Sequence, residues 1–143
     1  MLQRIQSVFL FLGSACCFGL FGTDVAETPA PVVGSPLFAD AHYTVFDDPL
    51  LLGLFALAGL LLLITIFLFR DRTLQLRLAL GAIVLAVAGI AYGVYRGTQD
   101  VVIETAEIEW GIALPLLAIV FGGLARRYVR KDERLVRSAD RLR

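Results

Sequence analysis

Charge is scarce in this chain, and so are the residues that most often do chemistry. Only 18% of its 143 residues are Asp, Glu, Lys or Arg, and it holds one histidine, one tryptophan and two cysteines. Two cysteines exclude a disulfide scaffold, and a single histidine beside them excludes a multi-ligand zinc site. A net charge is missing too: 13 basic residues balance 13 acidic ones, so the total attracts no nucleic acid. What is abundant is apolar. Hydrophobic residues make up 58% of the chain and the mean hydropathy is +0.78, against about 45–50% apolar residues in soluble domains. That composition excludes a disordered or collagen-like chain and points to a bilayer.

A helix that crosses about 30 Å of hydrocarbon needs about 20 apolar residues, because it rises 1.5 Å per residue and pairs its own backbone polar groups. Four stretches meet this, at about 5–22, 50–69, 78–95 and 108–125. The second, Leu50 to Phe69, is an uncharged run between Pro49 and Arg70. The third lies between Arg77 and Arg96, with Tyr92 and Tyr95 near its end, where aromatic rings favour the headgroup level. The fourth is short and draws on flanking residues while Arg126 and Arg127 snorkel outward. Pro115 is expected to kink it. The first stretch reads as a retained span because its apolar run continues past Cys16 and Cys17 to Phe21. The alternative is a secretory signal, with Gly13, Ser14 and Ala15 before Cys16. The fold class expected is all-α: an integral membrane four-helix bundle in one domain, both termini cytoplasmic, with a basic amphipathic C-terminal helix.

The connections between spans are short. Residues 23–49 form the longest, below the roughly 40 residues under which a chain seldom folds alone. With Pro29, Pro31, Pro36 and Pro49 it reads as an extended, mobile loop whose Leu37 to Phe46 part rests on the membrane surface. Residues 97–109 form a second, acidic loop. Residues 70–77 form a tight link, with Asp71 or Thr73 as helix N-cap. Twelve of the thirteen basic residues fall on one side, in Arg4, this link and the 126–143 tail, while the other side holds Arg96 and nine of the thirteen acidic residues. Lys and Arg accumulate in cytoplasmic loops, so the link, the tail and both termini are placed in the cytoplasm.

No ionisable residue falls in the central part of any span, and such residues mark ion pathways and relays in membranes. This disfavours a coupled transporter. Ser14 and Thr65 are the polar groups at depth, each able to bond its own helix backbone, and Gln6 and Ser7 read as interfacial. Cys16 and Cys17 point about 100° apart on a helix and read as small hydrophobes. His42, with Asp40, Asp47 and Asp48 nearby, lacks metal-ligand spacing and reads as a solvated loop residue, as do Glu104, Glu107 and Glu109. No catalytic, cofactor-binding or metal residue is assigned, and no cofactor is expected.

Small residues carry more. Gly89, Gly93 and Gly97 recur every fourth residue, with Ala82 and Ala86 beside them, and Ala118 with Gly122 and Ala15 with Gly19 repeat the spacing. Such spacing lets helix backbones approach closely, within one chain in the first reading and in a homodimer in the second. In the tail, Leu135, Val136, Ala139 and Leu142 share one helix face, with Arg126, Arg127, Arg130, Lys131, Arg134 and Arg137 available for anionic lipid headgroups or a protein partner.

The opening residues 1–7, the run Ile66 to Arg70 with Leu74 to Arg77, and above all the closing run Arg130 to Arg143 resemble the bacterial membrane proteins grouped as domain of unknown function 4293. The resemblance covers nearly the whole chain apart from the Pro-rich loop. It implies four helices, an inner-membrane location and retention of the first segment, and brings no activity. The function expected is therefore a non-catalytic accessory or scaffold subunit of the inner membrane. Its partners would be the bilayer, anionic headgroups and a membrane protein or second copy, not nucleic acid. The alternative is a small oligomeric transporter or channel, and an intramembrane enzyme is more distant because no nucleophile, base and acid occur together at depth. Intact-mass measurement of the purified protein is expected to retain residues 1–22; loss of the residues up to Ala15 or Gly22 would remove the first span.

Overall fold

The computed structural model describes residues 2–140. Met1, Arg141, Leu142 and Arg143 lie outside the described residues, as do the side chains of residues 2–4, Arg137, Ala139 and Asp140, so the expectations placed on them are not taken further. Four helices dominate: α1 (Leu2–Gly19), α2 (Pro49–Phe67), α3 (Arg72–Thr98) and α4 (Ala113–Asp140). All four are long and apolar enough to cross a membrane. They run up and down around a ring in which each packs against its two neighbours. Leu10, Cys17, Leu62, Ala82 and Ala125 are among the side chains that fill the middle, each 2% exposed or less.

Two aspartates start α2 and α3. Asp48 accepts a hydrogen bond from the Leu50 amide at 2.9 Å with Pro49 at the first helical position, where its missing N–H is no loss. Asp71 accepts from the Leu74 amide at 2.9 Å and caps α3. The link between α2 and α3 is therefore 68–71 and not 70–77. Hydropathy marks only the apolar part of a helix, and Thr73, Leu74 and Gln75 contain nothing that breaks one. For the same reason α4 runs unbroken past Arg126 to Asp140, with no glycine or proline after Gly123. The tail is not a separate helix. Arg72 Nη2 lies 2.9 Å from Asp132 Oδ2, holding this extension beside the start of α3. Pro115 does not sit mid-helix either: a 3-10 turn, Trp110–Ile112, precedes α4, and Pro115 falls in the first turn, whose N–H groups have no intrahelical partner.

The other departure is at the opposite end. Residues 23–49 form a folded cap in which β1 (Ala26–Glu27) is the centre of a small antiparallel sheet. Its neighbours are β2 (His42–Tyr43) and, from the second loop, β3 (Glu107–Ile108). The fold is thus a helical bundle with a short sheet on one end. Of the segment expected on the membrane surface, Leu37, Phe38, Tyr43 and Val45 are 4% exposed or less, while Phe46 is 58% exposed. A loop this size need not fold alone when the bundle supplies the other half of its core.

Glycines record where backbones touch. A Cβ on Gly111 would collide with the carbonyl oxygen of Asp24, where the start of α4 meets the chain leaving α1, whereas one on Gly53 or Gly123 would meet nothing within 4 Å. Gly111→Ala is expected to destabilise the fold by about 1–3 kcal/mol. Gly53→Ala is expected to be neutral or stabilising by up to about 1 kcal/mol. Thermal melting followed by circular dichroism in detergent separates the two, and equal effects would contradict the close approach at Gly111.

Candidate functional site

A polar cluster joins the cap to the helices. The Asp48 carboxylate is 8% exposed. Its Oδ2 accepts the Tyr92 hydroxyl at 2.8 Å and lies 2.9 Å from Arg96 Nε, an ion pair whose N–H is not aligned as a hydrogen bond. Burial pushes this carboxyl up, but the Tyr92 hydroxyl, the amides of Leu50 and Leu51 and the Arg96 charge outweigh it and hold the pKa below the usual 3.8. A second carboxylate, Asp100, is 6% exposed and ties the two loops together. Ser35 donates to its Oδ2 at 2.6 Å while Ser35 Oγ accepts the Phe38 amide at 2.9 Å. Burial again raises the carboxyl, and the Ser35 hydroxyl with the amides of Val102 and Leu37 overcomes it, leaving the pKa lowered.

Beneath the cap lies a cavity of about 310 Å³. Leu51 and Phe55 of α2, Gly93 of α3, Ile108 of β3 and Pro115 of α4 mark its walls. Thr98 and Tyr43 bring hydroxyls to its lining, the latter a phenol. Burial pushes that phenol up to about 12, opposed by Arg96, so it remains a donor, and it donates to the Gly93 carbonyl at 3.1 Å.

The tail end is basic. Arg126, Arg127, Arg130, Lys131 and Arg134 line one groove along α4. Buried behind this end are two amides. Gln75, 0% exposed, donates Nε2 to the Thr65 carbonyl at 3.2 Å, and the Oε1 atoms of Gln75 and of Gln6 have no hydrogen-bond partner among the described residues. Gln6 is 3% exposed, on the buried side of α1, while Ile5 and Val8 nearby are 41% and 54% exposed.

The small residues fall in different places. A Cβ on Gly89 would press into the Phe55 ring, with 2.7 Å to Cζ, and Gly93 faces Leu51 and Tyr43. Gly97 meets only Ile103, in the 3-10 turn Val101–Thr105 that follows α3. Gly122 meets Ile83 of α3 and Leu62 of α2, and Ala118 is 2% exposed beside Gly13. In α1 the buried face is Gly13, Ser14 and Cys17 rather than Ala15, which is exposed. Ser14 does not bond its own helix: it donates to the Gly59 carbonyl of α2 at 2.9 Å, where Gly59 touches Cys17 and Phe18. Thr65 does bond its own helix, at the Leu61 carbonyl, 2.6 Å away. His42 Nδ1 lies 2.9 Å from Asp24 Oδ2 and 4.0 Å from Glu27 Oε1. Leu135 and Val136 are 50% and 41% exposed, so the apolar face of the tail does not pack on the bundle there.

Sequence reading passed over Asp48, Tyr92, Arg96 and the Ser35–Asp100 pair as functional positions. The first was signalled by Asp before Pro at a helix start, and Tyr92 and Arg96 by their spacing of four on one helix face. Nothing local signals the pairing of Ser35 with a residue 65 positions away.

A family model described as a domain of unknown function, DUF4293, matches residues 2–142. No curated protein and no solved structure matches the chain.

Because folding lowers the pKa of Asp48 and Asp100, their stabilisation is present above the ordinary value of 3.8 and is lost as pH falls through the lowered folded values. The thermal midpoint in detergent is expected to hold from pH 7 down to about 4 and to drop below that. Asp48→Asn should cost about 1.5–3 kcal/mol at pH 7 and show a smaller acid-induced drop. A mutant with the wild-type acid profile would separate that drop from Asp48.

Proposed function

This chain belongs to the DUF4293 family, and taking that membership with the shape of its bundle, we propose that it is a multi-pass protein of the bacterial inner membrane that acts as a non-catalytic accessory or scaffold subunit. The observation that carries this reading is the filled centre of the bundle. Leu10, Cys17, Ala58, Leu62, Ala86 and Ala118 are 2% exposed or less, so among the described residues apolar side chains close the axis of a single copy to an ion or solute. Helices assembled this way present surfaces, and surfaces serve other proteins and lipid.

Orientation follows from charge. Twelve of the thirteen basic residues fall, by sequence, in Arg4, the stretch 70–77 and the stretch 126–143, and the positive-inside bias puts these segments, with both termini, in the cytoplasm. There the groove formed by Arg126, Arg127, Arg130, Lys131 and Arg134, which Arg137 continues in sequence, meets anionic headgroups. Each cation near such a surface contributes about 1 kcal/mol of attraction. The continuous α4 holds these cations on a helix rising from the bundle, a form suited to a docking partner. One observation favours the second reading, a small oligomeric transporter or channel: the unpartnered amide oxygens of Gln6 and Gln75 are acceptors that a ligand could use.

Four measurements test the proposal. The protein should stay in the membrane fraction through alkaline carbonate washing. With Cys17 fully buried and Cys16 half-buried giving little background, an impermeant maleimide should label Thr105→Cys from outside the cell and Ser138→Cys only after permeabilisation. Purification in mild detergent should retain a protein partner, and liposomes holding the protein should show no ion flux. A lone monomer without a partner would overturn the scaffold role, and flux would promote the channel.

A further inference from the structure

The cap-end cavity has features that the scaffold role does not use. At about 310 Å³ it stands at the lower end of the range of ligand pockets, about 300–1,000 Å³. It is graded from depth to mouth: Leu20, Val45 and Leu51 are 2% exposed or less, while Val94 of α3 and Ile108 of β3 are 56% and 73% exposed. The mouth therefore lies beside Val94, one turn from the end of α3 at Thr98. With the helices in a bilayer, that is where hydrocarbon meets headgroups.

Water is a poor occupant, because a buried water needs 2–4 polar partners and the Tyr43 and Thr98 hydroxyls at the lining already donate to the Gly93 and Tyr95 carbonyls. Left empty, the apolar walls would lose their dispersion contacts. The matter available at the mouth is acyl chain. Charge then selects the head. Glu104, Glu107 and Glu109 flank Ile103, Ala106 and Ile108 at the lining, and Arg96 at this end is paired with Asp48. An anionic headgroup would meet repulsion there, and an amine would meet carboxylates. We infer that the cavity holds one acyl chain of an amine-headed phospholipid, seated against Phe55 and Gly93 with its head beside β3. This rests on the membrane placement proposed above but not on the scaffold role.

Native mass spectrometry tests it, on full-length protein taken by mild detergent from vesicles of equal phosphatidylethanolamine and phosphatidylglycerol. The wild type should keep one phosphatidylethanolamine per chain under conditions that strip loosely held lipid, at severalfold preference over phosphatidylglycerol. Val94→Trp, which fills the mouth, should cut that retention at least fivefold with an unchanged melting temperature. Ala106→Trp, in the loop between α3 and α4, decides the matter if Val94→Trp lowers the melting temperature. Leu117→Trp, on an exposed part of α4, should keep the lipid. Retention of no lipid, equal retention in both mouth variants and the wild type, a preference for phosphatidylglycerol that Arg130→Gln leaves unchanged, or a lipid-free dimer that Val94→Trp dissociates would each overturn the assignment. Phosphatidylglycerol lost on Arg130→Gln reports the tail groove instead, and carbonate extraction reports membrane placement, so the three readings fail separately.

Discussion

The cap end depends on one carboxylate. Asp48 begins α2 by accepting an amide, takes the Tyr92 hydroxyl, and faces Arg96. A helix N-terminus favours an anion through its free N–H groups and its dipole, and the same anion draws in two groups from the last turns of α3. One buried charge thereby sets the height of α2 against α3. With that height set, Gly89 falls opposite Phe55 and Gly93 opposite Leu51, and the Tyr43 hydroxyl can reach the Gly93 carbonyl. The cavity below the cap is a by-product of this geometry: a glycine face lowers the wall of α3, and the large ring of Phe55 props α2 at its floor.

The two ends solve opposite problems. At the cap end each buried charge found has partners, with Asp48 on Tyr92 and Arg96 and Asp100 on Ser35. At the tail end five cations of α4, Arg126, Arg127, Arg130, Lys131 and Arg134, line one groove, with the Arg72–Asp132 pair beside them. Paired charge is structural, whereas a row of like charges raises the energy of the isolated molecule and is relieved by an anionic surface. The balanced total of 13 and 13 hides this contrast.

The bundle was legible in the sequence because long apolar runs have few alternatives. What hydropathy could not supply was helix length, since Arg72 to Arg77 and Arg126 to Asp140 are polar yet helical for want of any breaker. Pro115 was misread for a related reason: the apolar run begins at Ile108, but the helix begins at Ala113, and a proline in a first turn is harmless. The cap was illegible because its strands are two residues long, too short for any alternation to register. Its burial comes from the ends of the helices and not from the loop's own pattern. Ser14 shows the limit for polar residues at depth. Its sequence neighbourhood offered its own helix as acceptor, and only the close approach of Gly59 supplied another.

The strand order β2, β1, β3 also has a meaning in time. Residues Ala26 and Tyr43 can pair early, but the other edge of β1 needs Ile108, a residue some eighty positions later. At about 5–20 residues per second of synthesis, β1 waits for about 4–16 s with one row of N–H and C=O groups open. During that interval the hairpin is only half closed, and α2 and α3 are made and turned around before it can be completed. The sheet therefore closes only once α2 and α3 have brought Ile108 back beside Ala26, while α4 is still to be made.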